Sequence, residues 1–253
     1  MLDAYMDGQS LRAAFPGLIV QDIDERLPEL DDTLASVGGR HGQQLLTHLV
    51  SSREVAISVV IPGKRDYASR ARAIDQINRW AQGKRLTVSY RQGQHMDVIC
   101  TQPAAMSSVK SWAGVHTLVF AAYALPFWES DKPAVLELSG STYGSGYLKL
   151  VANHRTQCCV SIAPASGTLT SVTFGSQLST MTFNRISAAP GTPLILDYDD
   201  RHLLRARVGQ EDVLFQREPE SSDDLLVDPG DNSMVIQAST SIKARFYARG
   251  LWL

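Results

Sequence analysis

The segment DYASRARAIDQINRWAQG, residues 66–83, carries the one strong helix signal in this chain. Its apolar residues recur at the spacing of an α-helix, while its arginines fall largely off that stripe. Asp66 is suited to cap the amino end, and Gly83 is suited to end the helix in a left-handed conformation. The pattern predicts an amphipathic helix over 66–82 that packs against a sheet. The predicted apolar stripe contains Ala71, Ile74, Ile77 or Asn78, and Ala81, with Tyr67, Ala73 and Trp80 beside it.

Around this helix, the first half of the chain has the pattern of β-strands. Its strand-like runs are rich in β-branched residues and partly alternate between apolar and polar positions. The helix-containing pattern stops at the charged segment 129–133, so we place a domain boundary near residue 130 and predict domains 1–130 and 131–253. The strands expected in the first domain are 18–23, 53–61, 85–90, 96–101 and 116–123.

The second half of the chain shows no helix signal. Short strand-like runs follow one another at regular spacing, with turn residues such as Asp199-Asp200 and Gly209-Gln210 between them. About ten such strands are typical of an antiparallel β-sandwich. The apolar carboxyl end, 250–253, is expected to pack into the fold. The predicted fold class is therefore mainly β, with a strand-rich first domain that has one flanking helix and a sandwich as the second domain.

Composition excludes several classes of protein. The chain has 253 residues and a formal net charge of −2, and its basic residues are scattered, whereas binding to nucleic-acid phosphates needs clustered Lys and Arg. The longest apolar stretch, 118–128, is too short to span a bilayer, and the amino end lacks the pattern of a secretory signal. We expect a soluble protein made in a reducing cytosol, with Cys100, Cys158 and Cys159 as buried free thiols.

The sequence contains no recognisable catalytic or cofactor constellation. No two of its six histidines lie three or four residues apart, so no helix presents a metal-binding pair. The segment 140–146 is rich in Gly and Ser but lacks the terminal Lys-Ser/Thr of a phosphate-binding loop. We therefore predict that the protein is not an enzyme and holds neither a metal nor a cofactor.

Acidic residues are concentrated near the amino end. This cluster is too polar in context to resemble a catalytic pair, whose pKa values are separated by an apolar pocket. Two interpretations remain open, a solvated loop and an acidic surface that faces a partner. The acidic residues concerned are Asp22, Asp24, Glu25, Asp31 and Asp32.

The glycine-rich segment 36–44 lies between two strand-like runs. Three glycines within seven residues are typical of an exposed turn rather than of a core segment. We expect this loop to contribute to a contact with another subunit or with a partner. The candidate contact residues are Gly38, Gly39, Arg40, His41 and Gly42.

The order of these signals resembles the distal tail proteins of long-tailed phages, the siphophages. In the first half, a Gly-Arg-His-Gly loop (39–42), a β-branched strand, a helix that closes with WAQGKRL (80–86) and the segment LPFW (125–128) follow one another. In the second half, the series is LILDY (194–198), SDDL (222–225), DPGDN (228–232) and the final RGLWL (249–253). The resemblance covers nearly the whole chain, and the DPGDN turn is its most specific motif.

This resemblance implies a structural role in the virion. The first domain would be a small β-barrel with a helix at its flank, and six copies would close into a ring. The ring would join the tail tube protein to the tip or tail-associated lysin protein and leave a channel for DNA. The second domain would be a peripheral galectin-like or carbohydrate-module-like sandwich, where receptor-binding proteins or host surface glycans dock. Assembly would take place in the host cytoplasm, and the mature location would be the tail tip.

Physical reasoning adds one expectation to the resemblance. Since a DNA channel should not bind its cargo, we predict a neutral or acidic lumen to which the region Asp22–Asp32 contributes. Two other interpretations of the chain stay open. One is a carbohydrate-binding adhesion or adaptor protein of a baseplate without a ring, which would use exposed aromatic residues of the sandwich. The other is a different structural virion protein with the same sandwich, such as a baseplate adaptor.

Overall fold

A computed structural model describes residues 1–28, 30–36, 43–62, 67–105, 113–140, 142–199 and 202–253, with side chains for all of these except 34–36, 43–49, 62, 67, 113 and 114. The chain divides into two compact units, the first formed by Met1–Trp128 with Leu253 and the second by Glu129–Trp252. The fold is mainly β in both units, as the sequence predicts.

Where it is described, the first unit contains two helices and most of the first eleven strands. The strands are β1 (Ala4–Met6), β2 (Gln9–Ser10), β3 (Ile19–Glu25), β4 (Leu30–Ser36), β5 (Gln43–Val50), β6 (Arg53–Pro62), β7 (Arg85–Val88), β8 (Gln94–Asp97), β9 (Ile99–Gln102), β10 (Ala113–Ala122) and β11 (Trp128–Ser130). The helices are α1 (Leu11–Ala14) and α2 (Tyr67–Trp80).

Three sets of paired strands build this unit. One sheet has the order β2-β1-β7-β8, and a second has the order β3-β6-β10-β9. Strands β4 and β5 pair with each other as a two-stranded ribbon. The second sheet carries the features on which the functional interpretation depends.

Helix α2 packs on the inner face of the sheet β3-β6-β10-β9. Its buried residues, Ala73, Ile74 and Ile77 among them, follow the predicted stripe. Trp80 contacts Phe120 of β10 edge to face, with ring centroids 6.2 Å apart, and donates its indole N–H to the carbonyl of Gln9 at 2.8 Å. The prediction of an amphipathic helix on a sheet is confirmed.

The end of α2 differs from the prediction in two respects. The helix stops at Trp80 rather than at residue 82, and the predicted cap Asp66 lies outside the described residues. Gly83 is not among the glycines with positive φ, so it does not end the helix in a left-handed conformation. A side chain is excluded there for another reason, because a Cβ on Gly83 would collide with the side chains of Met6 and Asp7.

The second unit is an antiparallel sandwich, as predicted. Its larger sheet has the order β12-β22-β14-β17-β18-β19, with β20 paired to β14, and its smaller sheet has the order β13-β21-β15-β16. The strands are β12 (Ala134–Ser139), β13 (Tyr143–Leu150), β14 (Thr156–Pro164), β15 (Leu169–Gly175), β16 (Thr180–Ala188), β17 (Leu194–Tyr198), β18 (Leu204–Val208), β19 (Glu211–Asp212), β20 (Leu226–Val227), β21 (Gly230–Ala238), β22 (Ile242–Ala248) and β23 (Leu251–Trp252).

Aromatic packing and the chain end stabilise this sandwich. Phe174 lies stacked on Phe183 at 6.1 Å and edge to face with Phe246 at 6.4 Å. The carboxyl end is held in the fold as expected, since Ser130 donates its backbone N–H to the carbonyl of Gly250 at 2.9 Å and Leu251 is buried. One predicted strand, 212–215, is wrong, because a 3-10 helix occupies Leu214–Gln216.

The cysteines are free thiols in varied environments. Cys158 is buried, whereas Cys100 and Cys159 are only partly buried, so the expectation of three buried thiols is wrong for two of them. Burial raises the pKa of the Cys159 thiol to about 11, and it also raises the pKa of Cys100.

Candidate functional site

The outer face of the sheet β3-β6-β10-β9 carries Asp22 and Asp24. Asp22 pairs with Ser58 and Asp24 with Ala56 across the β3–β6 ladder. Residues that alternate with these along β6, such as Ile57, are fully buried on the helix side of the sheet. The two carboxylates therefore point away from the core and are exposed.

The rest of this outer face is mostly uncharged. Ile19, Val60 and Val115 form one cross-strand row, and the hydroxyls of Ser58 and Thr117 lie 3.3 Å apart in the next row. Within these four strands, the one Lys or Arg is Arg53, whose side chain is 2% exposed. Directly after β3, the exposed Arg26 forms ion pairs with Asp24 at 3.8 Å and with Glu54 of β6 at 2.6 Å. Over the described residues, the carboxylates of this face outnumber its exposed cations, and the guanidinium of Arg26 is paired with two of them.

Glu25 behaves differently from the two aspartates. A register shift after Val20 places Glu25 opposite Val55, on the inner face of the sheet. Its carboxylate accepts hydrogen bonds from Arg91 at 3.0 Å, from Arg53 at 3.2 Å and from the Trp128 indole at 2.9 Å. Arg91 also lies over the Trp128 ring, 5.2 Å from its centroid.

This environment removes Glu25 from the predicted acidic patch. Burial alone raises its pKa, but hydrogen bonds from Arg91, Tyr90 and Trp128 and the charge of Arg91 outweigh that effect, so the pKa lies below its ordinary value. The charge of Glu25 is compensated inside the unit. Glu25 lies on the face opposite to Asp22 and Asp24, because neighbouring residues of a strand alternate between faces, so the structure does not bring it together with them.

The remaining predicted acidic residues lie on a different element. Asp31 and Asp32 are exposed residues of β4, paired with Leu49 and His48 of β5. As neighbours in a strand they point to opposite faces of the ribbon. The structure therefore brings Asp22 and Asp24 together on one sheet face and leaves Asp31 and Asp32 on the ribbon.

The candidate contact loop Gly38, Gly39, Arg40, His41 and Gly42 lies outside the described residues. The strands on either side of it end at Ser36 and begin at Gln43, and these two residues are paired. The role of the loop stays a prediction.

The sequence reasoning missed the two edges of the sheet β3-β6-β10-β9. Within the described residues, β3 pairs only with β6 and β9 pairs only with β10, so both outer strands have an unpaired side. Irregularities in register occur in both ladders, which twists the edges and limits unspecific pairing. Which strand lies at an edge depends on pairing between distant residues, and no local signal announces it.

In the second unit, the smaller sheet exposes two tyrosines. Tyr143 and Tyr147 of β13 are 56% and 72% exposed, and they share the outer side of the strand with Ser145. Gln237 lies opposite Tyr143, and Ser233 lies opposite Tyr147. Among the other aromatic residues of the sandwich, Phe174, Phe183 and Phe246 are in the core, while Phe215 is exposed.

Among the described residues, no group of three or more His, Cys, Asp or Glu side chains could hold a metal ion. Neither helix, over the part of the chain that is described, is long and apolar enough to cross a membrane.

Comparison with known proteins places this architecture among solved structures. The SPP1 Dit protein (gp 19.1), described as a paradigm of the hub adsorption apparatus in phages that infect Gram-positive bacteria, superposes with a TM-score of 0.70 at 14% identity. The match covers 98% of this chain and 99% of the SPP1 protein. The two chains share a fold. The resemblance to distal tail proteins that the ordered motifs indicate is thereby confirmed for the fold.

Two chains from structures of the phage p2 baseplate in its activated conformation are also similar. The one with strontium has a TM-score of 0.46 at 8% identity and covers 98% of this chain and 97% of that chain. The one with calcium has a TM-score of 0.45 at 9% identity and covers 99% and 98%. No protein-family model and no curated protein sequence matches the chain.

Proposed function

We propose that this chain is a structural component of a phage tail tip, closing into a ring that joins the tail tube to the tip protein and leaves a channel for DNA. The observation that carries the proposal is the likeness to SPP1 Dit over almost the full length of both chains. The protein acts by shape and by contact with copies of itself. Its location is the virion, and its further partners are the tail tube protein and the tip or tail-associated lysin protein.

The sheet β3-β6-β10-β9 supports a channel wall. Its inner face is covered by α2, while its outer face presents Asp22, Asp24 and a row of small or apolar residues. Its nearby cation, Arg26, is paired with Asp24 and Glu54, so the surface is acidic on balance and does not retain the phosphate backbone of DNA. We propose that this outer face lines the channel.

The two free edges of the same sheet support ring closure. A ring requires a heterologous contact, in which one surface meets a different surface of the neighbour. Strand β3 and strand β9 are two such unlike surfaces, at opposite edges of one sheet. We propose that β3 of one copy lies beside β9 of the next.

The even number of strands in this sheet fits the proposed contact between β3 and β9. Neighbouring strands in the sheet are antiparallel throughout, so β3 and β9 run in opposite directions in a four-stranded sheet. When rotation places the next copy alongside, its β3 meets β9 in antiparallel orientation, and the alternation continues without a break.

Native mass spectrometry of the full chain tests the proposed ring. We expect one closed oligomer of six copies, with few intermediates at high protein concentration, because a closed ring gains one more contact than an open chain. A chain that stays monomeric or dimeric at every concentration contradicts the proposal.

A second candidate function is carbohydrate binding by the smaller sheet of the second unit. The observation that favours it is the pair of exposed tyrosines on β13, flanked by the polar residues Gln237 and Ser233. Aromatic faces and neighbouring hydrogen-bonding groups are what sugar recognition requires.

Glycan-array binding by the full chain tests this candidate. We expect binding to be lost on Tyr147→Ala and kept on Phe215→Ala, which removes an equally exposed aromatic residue, 77% exposed, away from that strand. Equal binding by both variants, or none by the unaltered protein, counts against it.

A further inference from the structure

We propose that an apolar corner of one copy, formed by Leu27 and Leu30, docks in a groove beside β9 of the next copy. This inference rests on the proposed ring and names the residues that hold neighbouring copies together. Leu27 and Leu30 follow the edge strand β3 and are 78% and 60% exposed. Pro28 between them is buried, which anchors the corner to its own unit while both leucines face outward.

The groove lies at the other edge of the same sheet. Its volume is about 550 Å³, and its lining includes Ile99 and Cys100 of β9, Ala81 after helix α2, Ala121 of β10 and Tyr123 directly after β10. Ile99 is 63% exposed and Tyr123 is 61% exposed. Over the described residues, the groove therefore offers a largely apolar surface, with Lys84 and Asp97 also in its lining.

Register places the corner and the groove at the same end of the sheet. Glu25, two residues before Leu27, lies opposite Val55 near the start of β6. The start of β6 pairs with the end of β10, since Arg53 lies opposite Ala122. The end of β10 in turn pairs with the start of β9, since Ala121 lies opposite Ile99.

A rotation about the ring axis leaves each residue at the same height along that axis in every copy, so equivalent ends of the sheet lie at the same height. The corner at the β3 edge of one copy then meets the groove at the β9 edge of the next, without any change within either copy. Docking of the corner in the groove would bury both of these exposed apolar surfaces in one contact. A second copy of this chain is thus the occupant that the geometry favours.

The native thiol of Cys100 allows a direct test. We would place a cysteine at the corner, Leu27→Cys, and treat the assembled full-length protein with a short bismaleimide. Because burial raises the pKa of the Cys100 thiol, the reaction belongs at alkaline pH. We expect a ladder of covalent oligomers on a denaturing gel, up to the size of the ring.

Two matched variants control this experiment. The ladder should disappear in Leu27→Cys combined with Cys100→Ser, and it should not form with Leu203→Cys, which alters an exposed leucine (59%) of the second unit. A ladder that survives Cys100→Ser contradicts the proposed contact. An intact ring that gives no ladder also contradicts the proposed contact, but it agrees with the proposed ring.

A binding measurement gives an independent check. Leu27→Asp should weaken assembly by about tenfold or more, the factor expected when a buried leucine contact is lost. Val151→Asp, at a residue of the second unit that is 72% exposed, should leave assembly unchanged. Equal behaviour of the two variants by sedimentation velocity contradicts the contact, whereas an unaltered protein that never assembles contradicts the proposed ring as well.

Discussion

At the scale of single residues, the charge of Glu25 determines how the first unit is held together. One buried carboxylate accepts hydrogen bonds from two guanidinium groups and an indole. Two further nitrogens of Arg53, Nε and Nη1, are buried and have no hydrogen-bond partner among the residues that the structure describes. The attraction of Glu25 is therefore what makes burial of Arg53 tolerable.

Replacing Glu25 by Gln should destabilise the first unit by about 3–5 kcal/mol, because it leaves buried arginine charge uncompensated. Equilibrium urea unfolding at pH 7 measures the effect. Glu54→Gln is the matched control, since Glu54 pairs with Arg26 at 2.6 Å on the surface and its loss should cost at most about 1 kcal/mol.

The loss of stability caused by Glu25→Gln should depend on pH. A carboxylate whose folded pKa is lowered stabilises the fold above its unfolded pKa, and that contribution is lost as the pH falls through the folded pKa. The stability gap between the unaltered chain and Glu25→Gln should thus be constant near neutral pH and shrink below about 4.5, the ordinary value for Glu. A gap that widens on acidification would show that Glu25 is not the ionised partner.

Gly83 provides a second test at the residue scale. Since a Cβ there would collide with Met6 and Asp7, Gly83→Ala should cost roughly 1–3 kcal/mol, and the larger Gly83→Asn should cost more. A left-handed helix cap would give the opposite order, because Asn tolerates that conformation better than Ala. Thermal unfolding of both variants, with the exposed neighbour Gln82→Ala as control, distinguishes the two accounts.

At the scale of elements, local patterns were sufficient for the helix and for most strands. Alternation and turn residues identify the strands of the second unit, and Gly209 adopts the positive φ of 61° that its predicted hairpin turn requires. Local patterns did not predict which residues of a strand face the helix and which face outward. Alternation separates Glu25 from Asp24, but the bulge after Val20 decides which of the two faces the helix, and no local pattern indicates that bulge.

The DPGDN turn has a structural explanation at this scale. Asn232 is fully buried, and its amide donates to the carbonyls of Asp228 at 2.7 Å and Gly230 at 3.2 Å while its oxygen accepts from the backbone N–H of Asp228 at 2.9 Å. Gly230 supplies a positive φ of 101°. The motif fixes the entry into β21, the strand between β13 and β15.

Asn232→Asp should accordingly destabilise the second unit by about 3 kcal/mol or more, since a buried carboxylate cannot donate to the two carbonyls. Asp231→Asn, an exposed change in the same turn, should be nearly neutral. Urea unfolding of the two variants measures the difference, and similar losses would contradict the role assigned to the Asn232 amide.

At the scale of the whole molecule, the proposed lumen can be tested by its charge. The variant Asp22→Lys with Asp24→Lys should convert the channel wall into a cationic surface in every copy. We expect the assembled variant to bind double-stranded DNA with an affinity that falls steeply as salt rises, whereas the unaltered protein does not bind. Fluorescence anisotropy with labelled DNA at several salt concentrations measures this.

The control for this prediction carries the same charge change elsewhere. Glu211→Lys with Glu220→Lys alters two exposed carboxylates of the second unit and should leave DNA binding weak. Equal DNA binding by both double variants would mean that net charge, rather than the sheet face, governs the interaction.

The surfaces proposed for ring assembly could not be predicted from the sequence alone. The ordered motifs were enough to indicate the family resemblance, and the fold bears it out. The free edges, the groove beside β9 and the level at which Leu27 lies depend on strand order and register, which are set by contacts between distant segments. The face that Asp22 and Asp24 share was likewise visible only once the register of β3 on β6 was known.

Electron cryo-microscopy of the assembled full-length protein tests the central claim most directly. We predict a closed ring with a central hole, in which the outer face of the sheet β3-β6-β10-β9, with Asp22 and Asp24, lines the hole and β3 of each copy lies beside β9 of the next. A particle without a hole, or a ring whose hole is lined by Lys and Arg side chains, would contradict the account.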